Sequence, residues 1–155
     1  MNHPKVYYRV AVLGKIKAQP RPHAARRGNF VTIYNPKTAD AWKQSVRSFF
    51  KVSKSLKELE TLNEPLTVRL NFYFKRPKSH FNIKRELRKG QSKAHIQKPD
   101  IDNLVKAVLD AIVDEGIMKD DKLITELYAT KKWVNEESVS EIGRLERCEI
   151  EIKSN

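Results

Sequence analysis

This 155-residue sequence has one cysteine, Cys148, and no apolar run long enough to cross a membrane. A single cysteine excludes an intramolecular disulfide and a zinc site built from several cysteines. Cys148 lies in the alternating run at 147–154, which predicts a buried strand thiol. The first ten residues have no apolar core of the signal-peptide type, so we expect a cytoplasmic protein. No Gly-rich phosphate loop and no nucleophile elbow occur in the sequence.

Acidic residues are few relative to basic ones. The sequence has 31 Lys and Arg against 19 Asp and Glu, a formal net charge of +12, and a pI of about 9.8. A surplus this large attracts polyanions, with nucleic acid first and anionic membrane second. The alternative explanation is that the surplus charge serves only to keep the protein soluble.

The distribution of the basic residues favours polyanion binding. Residues 14–30 contain five Lys or Arg and no acid, and residues 75–98 contain nine with one acid. Charges that served only solubility would be interleaved more evenly, so we expect these two segments to contact DNA phosphates. The predicted contacts are Lys17, Arg21, Arg26, Arg27, Arg76, Lys78, Lys84, Arg85, Arg88, Lys89, Lys93 and Lys98.

The hydrophobic periodicity predicts an α/β or α+β fold. We expect one domain over 1–155, with a basic loop or arm at about 75–99. Alternating apolar residues predict strands at 5–12, 30–34, 66–75, 123–134 and 147–154. Helical spacing predicts helices at 36–55 and 101–115, with a short helix near 84–89 as an open alternative, and residues 14–30 are expected to form an exposed loop. This order predicts a mixed, partly antiparallel sheet flanked by helices.

The acids gather in the run KPDIDNLVKAVLDAI at 98–112. Asp100 and Asp102 fall at the predicted helix N-terminus, where the positive end of the helix dipole tolerates carboxylates. Lys106 and Asp110 continue the same face at four-residue spacing. A purely structural alternative is open here: Asp100 caps the helix, and Asp102 forms an ion pair with Lys106 worth about 0.3–0.5 kcal/mol.

A second acidic pair, Asp120 and Asp121, precedes a predicted strand. Residues 116–121 reach about 20 Å at ~3.3 Å per residue. They can therefore return Asp121 to the helix N-terminus, or stop near Asp110 or Asp114. The alternative is an ordinary turn that begins a strand.

Carboxylates that converge need a cation between them, and oxygen-only ligands suit a hard ion such as Mg²⁺. Such a metal would activate water and stabilise the transition state of phosphodiester hydrolysis. Lys106 is then placed to orient the water, to neutralise the leaving oxygen, or to separate the carboxylates.

The run at 98–112, followed by IMKDDKLI at 117–124, resembles the signature of RusA-type Holliday junction resolvases. The shared pattern is Asp-x-Asp-Asn-Leu-x-Lys, a Leu-Asp-Ala helix, and Asp-Asp before a strand. Segments 14–30, 34–42 and 76–80 are similar to segments that these proteins often carry.

The resemblance implies a RusA-like fold and a Mg²⁺-dependent endodeoxyribonuclease of bacteria or their prophages, with Mn²⁺ as a substitute metal. It implies a homodimer that cuts four-way DNA junctions by paired nicks in strands of like polarity during recombination or repair. By position, it implies catalytic roles for Asp100, Asp102, Lys106 and Asp121. It also implies that Asp100, Asp102 and Asp121 bind the metal, with Asp120 as an open fourth ligand. Pro99 stands where some members have Arg, so part of the DNA contact is expected to shift to Lys98 or the preceding loop.

Two other functions fit the same residues. One is a basic DNA-binding accessory protein without catalysis, and the other is a nuclease of broader branched-DNA or RNA specificity. The histidines show no metal-ligand spacing. Those in the basic segments, His23, His80 and His95, are expected to contact phosphates, and Trp42 and Trp133 are expected in the core or an interface.

Overall fold

The structure is a computed structural model that describes residues 4–155. Those residues form an α+β fold with a four-stranded mixed sheet, a separate two-stranded sheet and two helices. In chain order the elements are β1 (Val6–Leu13), β2 (His23–Arg27), β3 (Phe30–Tyr34), α1 (Asp40–Lys57), β4 (Leu66–Phe74), α2 (Ile101–Asp114), β5 (Ile124–Trp133) and β6 (Arg147–Ser154). The predicted fold class with a mixed, partly antiparallel sheet is confirmed.

The chain forms two compact units. The first unit contains residues 4–16, Leu66–Lys98 and Ile124–Asn155. The second contains Lys17–Pro65 and Pro99–Leu123. The four-stranded sheet and the basic arm lie in the first unit, and both helices with the small sheet lie in the second. A single domain over 1–155 stays a prediction.

The sheet of the first unit has the strand order β1-β6-β4-β5. β4 pairs in parallel with β5 and antiparallel with β6, which also pairs antiparallel with β1. The predicted alternation of β4 is confirmed, because Leu66, Val68, Leu70, Phe72 and Phe74 are all buried. Successive side chains of a strand point to opposite faces, so this period of two gives the sheet one apolar face.

The other face of this sheet is polar. Arg9 of β1 pairs with Glu151 of β6, and the Arg69 guanidinium lies 4.9 Å from the ring centre of Tyr128.

Cys148 of β6 is fully buried, as predicted, and burial raises the pKa of its thiol. The thiol therefore stays protonated and acts as a small apolar side chain.

The second unit is built on the packing of α1 against α2. Trp42, Val46 and Phe50 are buried on α1. Leu104, Ala107, Val108, Ala111 and Ile112 are buried on α2. Each large apolar side chain buried in this way stabilises the fold by about 1.5–3 kcal/mol. Within residues 4–155, no helix combines the length and the apolarity that a membrane span requires.

Two elements differ from the sequence-based expectation. Residues 23–27, expected in an exposed loop, form β2 and pair with β3 as a hairpin. No helix forms at 84–89, where the chain instead makes a turn with Phe81 bridged to Leu87. The arm instead contains one 3-10 turn nearer its start, at Lys78–His80. In both places the backbone pairs through a segment, 23–27 or 81–87, that carries no periodic apolar pattern of its own.

Contacts at the end of α2 determine the path of the segment that follows it, residues 116–121. Gly116 has a φ of 68°, the left-handed conformation that commonly ends helices, as predicted. Its carbonyl accepts hydrogen bonds from Lys54 Nζ at 2.7 Å and Thr61 Oγ1 at 2.8 Å. Leu62 then bridges to Met118. These contacts hold the segment that leads into Asp120 and Asp121.

Candidate functional site

Two carboxylates at the start of α2 have no hydrogen-bond or ion-pair partner for their side chains among the described residues 4–155. Asp100 occupies the N-cap position in an extended conformation, but its side chain makes no capping hydrogen bond. Asp102 lies exposed in the first turn. Lys106 pairs with Asp110, at 3.4 Å between Nζ and Oδ1, and not with Asp102. Within residues 4–155, neither the cap nor the ion pair of the structural alternative is therefore formed.

Asp110 is held between two lysines. Lys43 Nζ lies 3.6 Å from Asp110 Oδ2, and Lys106 Nζ lies 3.4 Å from Oδ1. Lys43 also donates to Gln19 Oε1 at 3.4 Å, and the Gln19 backbone N–H donates to the Asn103 carbonyl at 2.9 Å. The segment that leads into the β2–β3 hairpin is therefore hydrogen-bonded to the first turn of α2.

Sequence reasoning missed Lys43 and Gln19. Lys43 is only 18% exposed at its side chain and connects α1 to α2. One feature of the sequence could have indicated that Lys43 is partly buried: it lies three residues before the buried Val46, at the edge of the apolar stripe of α1. Nothing in the sequence around Gln19 marks its backbone bond to α2.

The second acidic pair meets the far part of α2. Asp120 and Asp121 line a cavity of about 370 Å³ together with Asp110 and Asp114. The remaining lining residues are Lys43, Val113 and Lys119. The return segment therefore reaches α2 beside Asp110 and Asp114.

Asp120 is locally stabilised as an anion. The backbone N–H of Lys122 donates to Asp120 Oδ1 at 2.9 Å, and Lys122 Nζ lies 3.5 Å from Oδ2. The backbone hydrogen bond is the main cause that lowers the pKa of Asp120. This hydrogen bond and the Lys122 ammonium group both favour the charged form of the carboxylate.

The aspartates of α2 are spread along one face of the helix and do not form a preformed metal-binding site. No group of three His, Cys, Asp or Glu side chains that could hold a metal ion occurs in residues 4–155. Asp102 and Asp110 are separated by about 12 Å of helix at ~1.5 Å per residue. The convergence of Asp100, Asp102 and Asp121 on one ion therefore stays a prediction. The donor chemistry itself fits, because exposed, oxygen-only carboxylates suit a hard divalent cation that takes further oxygens from water and phosphate.

The basic arm at 75–98 is folded back on itself. The Arg76 guanidinium lies 4.7 Å from the ring centre of Trp133, and its Nη2 donates to the carbonyls of Ser92 at 2.9 Å and Lys93 at 3.1 Å. Trp133 Nε1 donates to the Ala94 carbonyl at 3.2 Å. These contacts join both ends of the arm to the end of β5.

Two histidines of the arm are buried, so the expectation that they contact phosphates is wrong. His95 stacks on Trp133 with ring centres 3.9 Å apart and meets the edge of Phe74 at 4.7 Å. His80 lies near Arg76 and Gln97, at 3.5 Å and 3.2 Å from its two ring nitrogens. They are buried because they fill the interior of the arm. His23 is exposed on β2, and His3 lies outside the described residues.

The predicted DNA contacts are mostly placed where DNA can reach them. Arg76 is half-buried and committed to the contacts above. The others are exposed: Lys17, Arg21, Arg26, Arg27, Lys78, Lys84, Arg85, Arg88, Lys89, Lys93 and Lys98. Arg76, Lys78 and Arg85 also line a cavity of about 520 Å³ with Lys75. Their role in DNA binding stays a prediction.

The burial of His95 predicts that the arm loosens in mild acid. Burial, followed by the nearby charges of Lys131 and Arg76, lowers the pKa of His95, and its Nδ1 has no hydrogen-bond partner in the part of the chain that the structure describes. The unfolded arm then binds the proton more strongly, so arm stability is full above the unfolded His pKa of about 6.5 and falls as the pH drops below it. Limited proteolysis of the arm should accelerate between about pH 7 and 5.

Two variants test this assignment. His95→Phe keeps an aromatic ring against Trp133 but cannot be protonated, so its proteolysis rate should lose the pH dependence. His23→Gln, at an exposed position, should retain it. Equal pH dependence in wild type and His95→Phe would show that another group controls the arm.

Comparison with known proteins agrees with these features. The sequence model of the family described as endodeoxyribonuclease RusA matches residues 14–144. The chain is also 30% identical over 130 residues to the uncharacterized protein YqaN of Bacillus subtilis (strain 168), covering 83% of this chain and 89% of that one. RusA proteins are metal-dependent endodeoxyribonucleases that bind branched DNA and act on the phosphodiester bonds of Holliday junctions. The match confirms the resemblance carried by the acidic helix: this chain belongs to the RusA endodeoxyribonuclease family.

Proposed function

We propose that this protein is a Mg²⁺-dependent endonuclease that binds four-way DNA junctions as a homodimer and resolves them by paired phosphodiester hydrolysis. Its strongest support is the pair Asp100 and Asp102, which lie exposed at the start of α2 and have no ion-pair or hydrogen-bond partner for their side chains within residues 4–155. Anionic groups without a structural partner, in a protein with a net charge of +12, fit a site for a cation.

Asp100, Asp102 and Asp121 would hold the metal, with Asp120 as a further oxygen donor, and Mn²⁺ would substitute for Mg²⁺. When bound, the ion supplies a Lewis acid at the scissile phosphate and lowers the pKa of attacking water.

Lys106 supplies positive charge beside the acids. Its side chain is 62% exposed, and the ion pair with Asp110 restricts where the ammonium group lies. There it stabilises negative charge that develops on the leaving oxygen. Asp110 is a positioning residue, since Lys43 on α1 and Lys106 on α2 both pair with it.

The two basic segments bind the DNA backbone. Exposed Lys and Arg that neutralise phosphates release counterions, so affinity should fall with salt by a slope of about −0.9 for each phosphate contacted. A four-way junction needs two cuts, and a two-fold homodimer places two identical sites on it. Such an activity would serve recombination or repair in a bacterium or its prophage.

The decisive experiment follows nicking of an immobile synthetic four-way junction labelled on each strand in turn. In Mg²⁺ or Mn²⁺, we expect paired cuts in strands of like polarity that leave ligatable ends, and EDTA should stop them. Junction binding without nicking in any divalent ion would instead identify a DNA-binding accessory protein. Equal cleavage of duplex DNA or single-stranded RNA would identify a broader nuclease.

A further inference from the structure

We propose that the hairpin of residues 23–34, with Phe30 at its tip, is a wedge that stacks on unstacked bases at a DNA branch point. The wedge would make the protein selective for branched DNA over continuous duplex. This inference rests on the proposed action on DNA junctions and names the element that recognises the branch.

The geometry of the hairpin presents Phe30 to solvent. β2 and β3 pair antiparallel, with Arg27 opposite Phe30. The intervening turn contains Gly28, whose φ of 60° favours glycine. Every residue of both strands is exposed, and Phe30 itself is 79% exposed.

Several large apolar side chains of the hairpin are exposed to solvent and so contribute little to its stability. Next to Phe30, the side chains of Val31, Ile33 and Tyr34 are 64%, 72% and 50% exposed. An isolated two-stranded hairpin is at best marginally stable in water. Successive side chains of a strand point to opposite faces, so Phe30 and Tyr34 lie on one face of the hairpin and Val31 and Ile33 on the other. Exposed aromatic and apolar side chains grouped on one small element in this way are typical of a binding site.

Charge identifies the occupant as nucleic acid. Residues 14–34 include five Lys or Arg and no acid. Arg26 and Arg27 lie just before the turn, at the end of β2. Arg26 Nε donates to the Gly28 carbonyl at 3.1 Å, which holds that guanidinium beside the tip. A second copy of this +12 chain would bring like charge to these arginines, whereas DNA brings phosphates. Aromatic rings among basic side chains are how proteins bind unpaired nucleotides.

A ring at the tip distinguishes branched from continuous DNA. Inside a duplex both faces of each base pair are stacked, and inserting a side chain costs a few kcal/mol per step. At a branch point the stacking is interrupted, so a base face is available at lower cost. Loss of one aromatic–base stack should weaken junction binding by about tenfold and leave duplex binding nearly unchanged.

The test uses a four-way junction carrying 2-aminopurine at the branch point, and a duplex of the same sequence, both in EDTA. Wild type should raise 2-aminopurine fluorescence on the junction. Phe30→Ala should abolish this rise and weaken junction affinity about tenfold, and Phe30→Trp should restore the affinity, because it restores an aromatic face. Leu56→Ala is the matched control, because Leu56 is 81% exposed on α1 in the same unit and should behave as wild type.

Three results would overturn the wedge: unchanged fluorescence with Phe30→Ala, an equal loss of junction and duplex affinity, or conversion of a dimer to a monomer in sedimentation. The last would make the hairpin an interface between copies of the chain. The assay needs no metal and no cleavage. Absence of nicking in Mg²⁺ therefore refutes the proposed nuclease separately from the wedge.

Discussion

Asp102→Asn is expected to slow junction nicking by about 10³-fold while junction binding persists, because a metal ion contributes several kcal/mol of charge stabilisation to the transition state. The Asn side chain keeps the shape of Asp but supplies no negative charge to the cation. Asp102 is exposed and its carboxylate has no partner within residues 4–155, so the fold should tolerate the change. Single-turnover nicking and electrophoretic binding on the same junction separate the two effects.

Asp40→Asn is the matched control. Asp40 is an exposed carboxylate in the first turn of α1, as Asp102 is in α2. Both substitutions remove a favourable interaction with a helix dipole, worth about 0.3–1 kcal/mol. Their melting temperatures should therefore fall by similar small amounts, and only Asp102→Asn should lose nicking. Normal cleavage by Asp102→Asn would refute its assignment as a metal ligand.

Lys106→Met should lower the nicking rate by about 10²-fold, the usual cost of removing one group that stabilises transition-state charge. The methionine retains the length of the side chain, and the 62% exposure of Lys106 makes a large loss of packing unexpected. Lys106→Arg should recover part of the rate, because it restores the charge with a different geometry. The measurement is single-turnover nicking at saturating protein.

Lys51→Met serves as its control, since Lys51 is an exposed lysine on α1. Both variants lose one positive charge and should weaken DNA binding slightly and similarly. If Lys106→Met nicks at the wild-type rate, or if its defect disappears at higher protein concentration, Lys106 contributes to binding alone.

The elements with a regular apolar pattern could be predicted from the sequence. β4 and α2 were predicted to within one residue, because each buries one side and the side-chain period of the backbone is then visible in the sequence. The same logic placed Cys148 in a buried strand. β2 escaped prediction because its residues are exposed on both faces, so no alternation marks it.

The side-chain partners required the tertiary structure. His80 and His95 were expected at the DNA surface, yet Trp133, which lies far along the chain, stacks on His95 and meets the edge of His80. Likewise, the pairing of Lys106 with Asp110 instead of Asp102 could not be chosen from spacing, since both acids stand four residues away.

The sequence by itself determined the charge surplus, the acidic helix, the order of the major elements and the family resemblance. Each of these is set by composition or by local period, which the chain carries before it folds. Only the tertiary structure decided that Asp121 meets Asp110 and Asp114, that the arm encloses its histidines, and that Phe30 stands exposed at a hairpin tip. Those outcomes depend on pairing between residues distant in sequence, where burial and partner choice are decided by packing and not by local pattern.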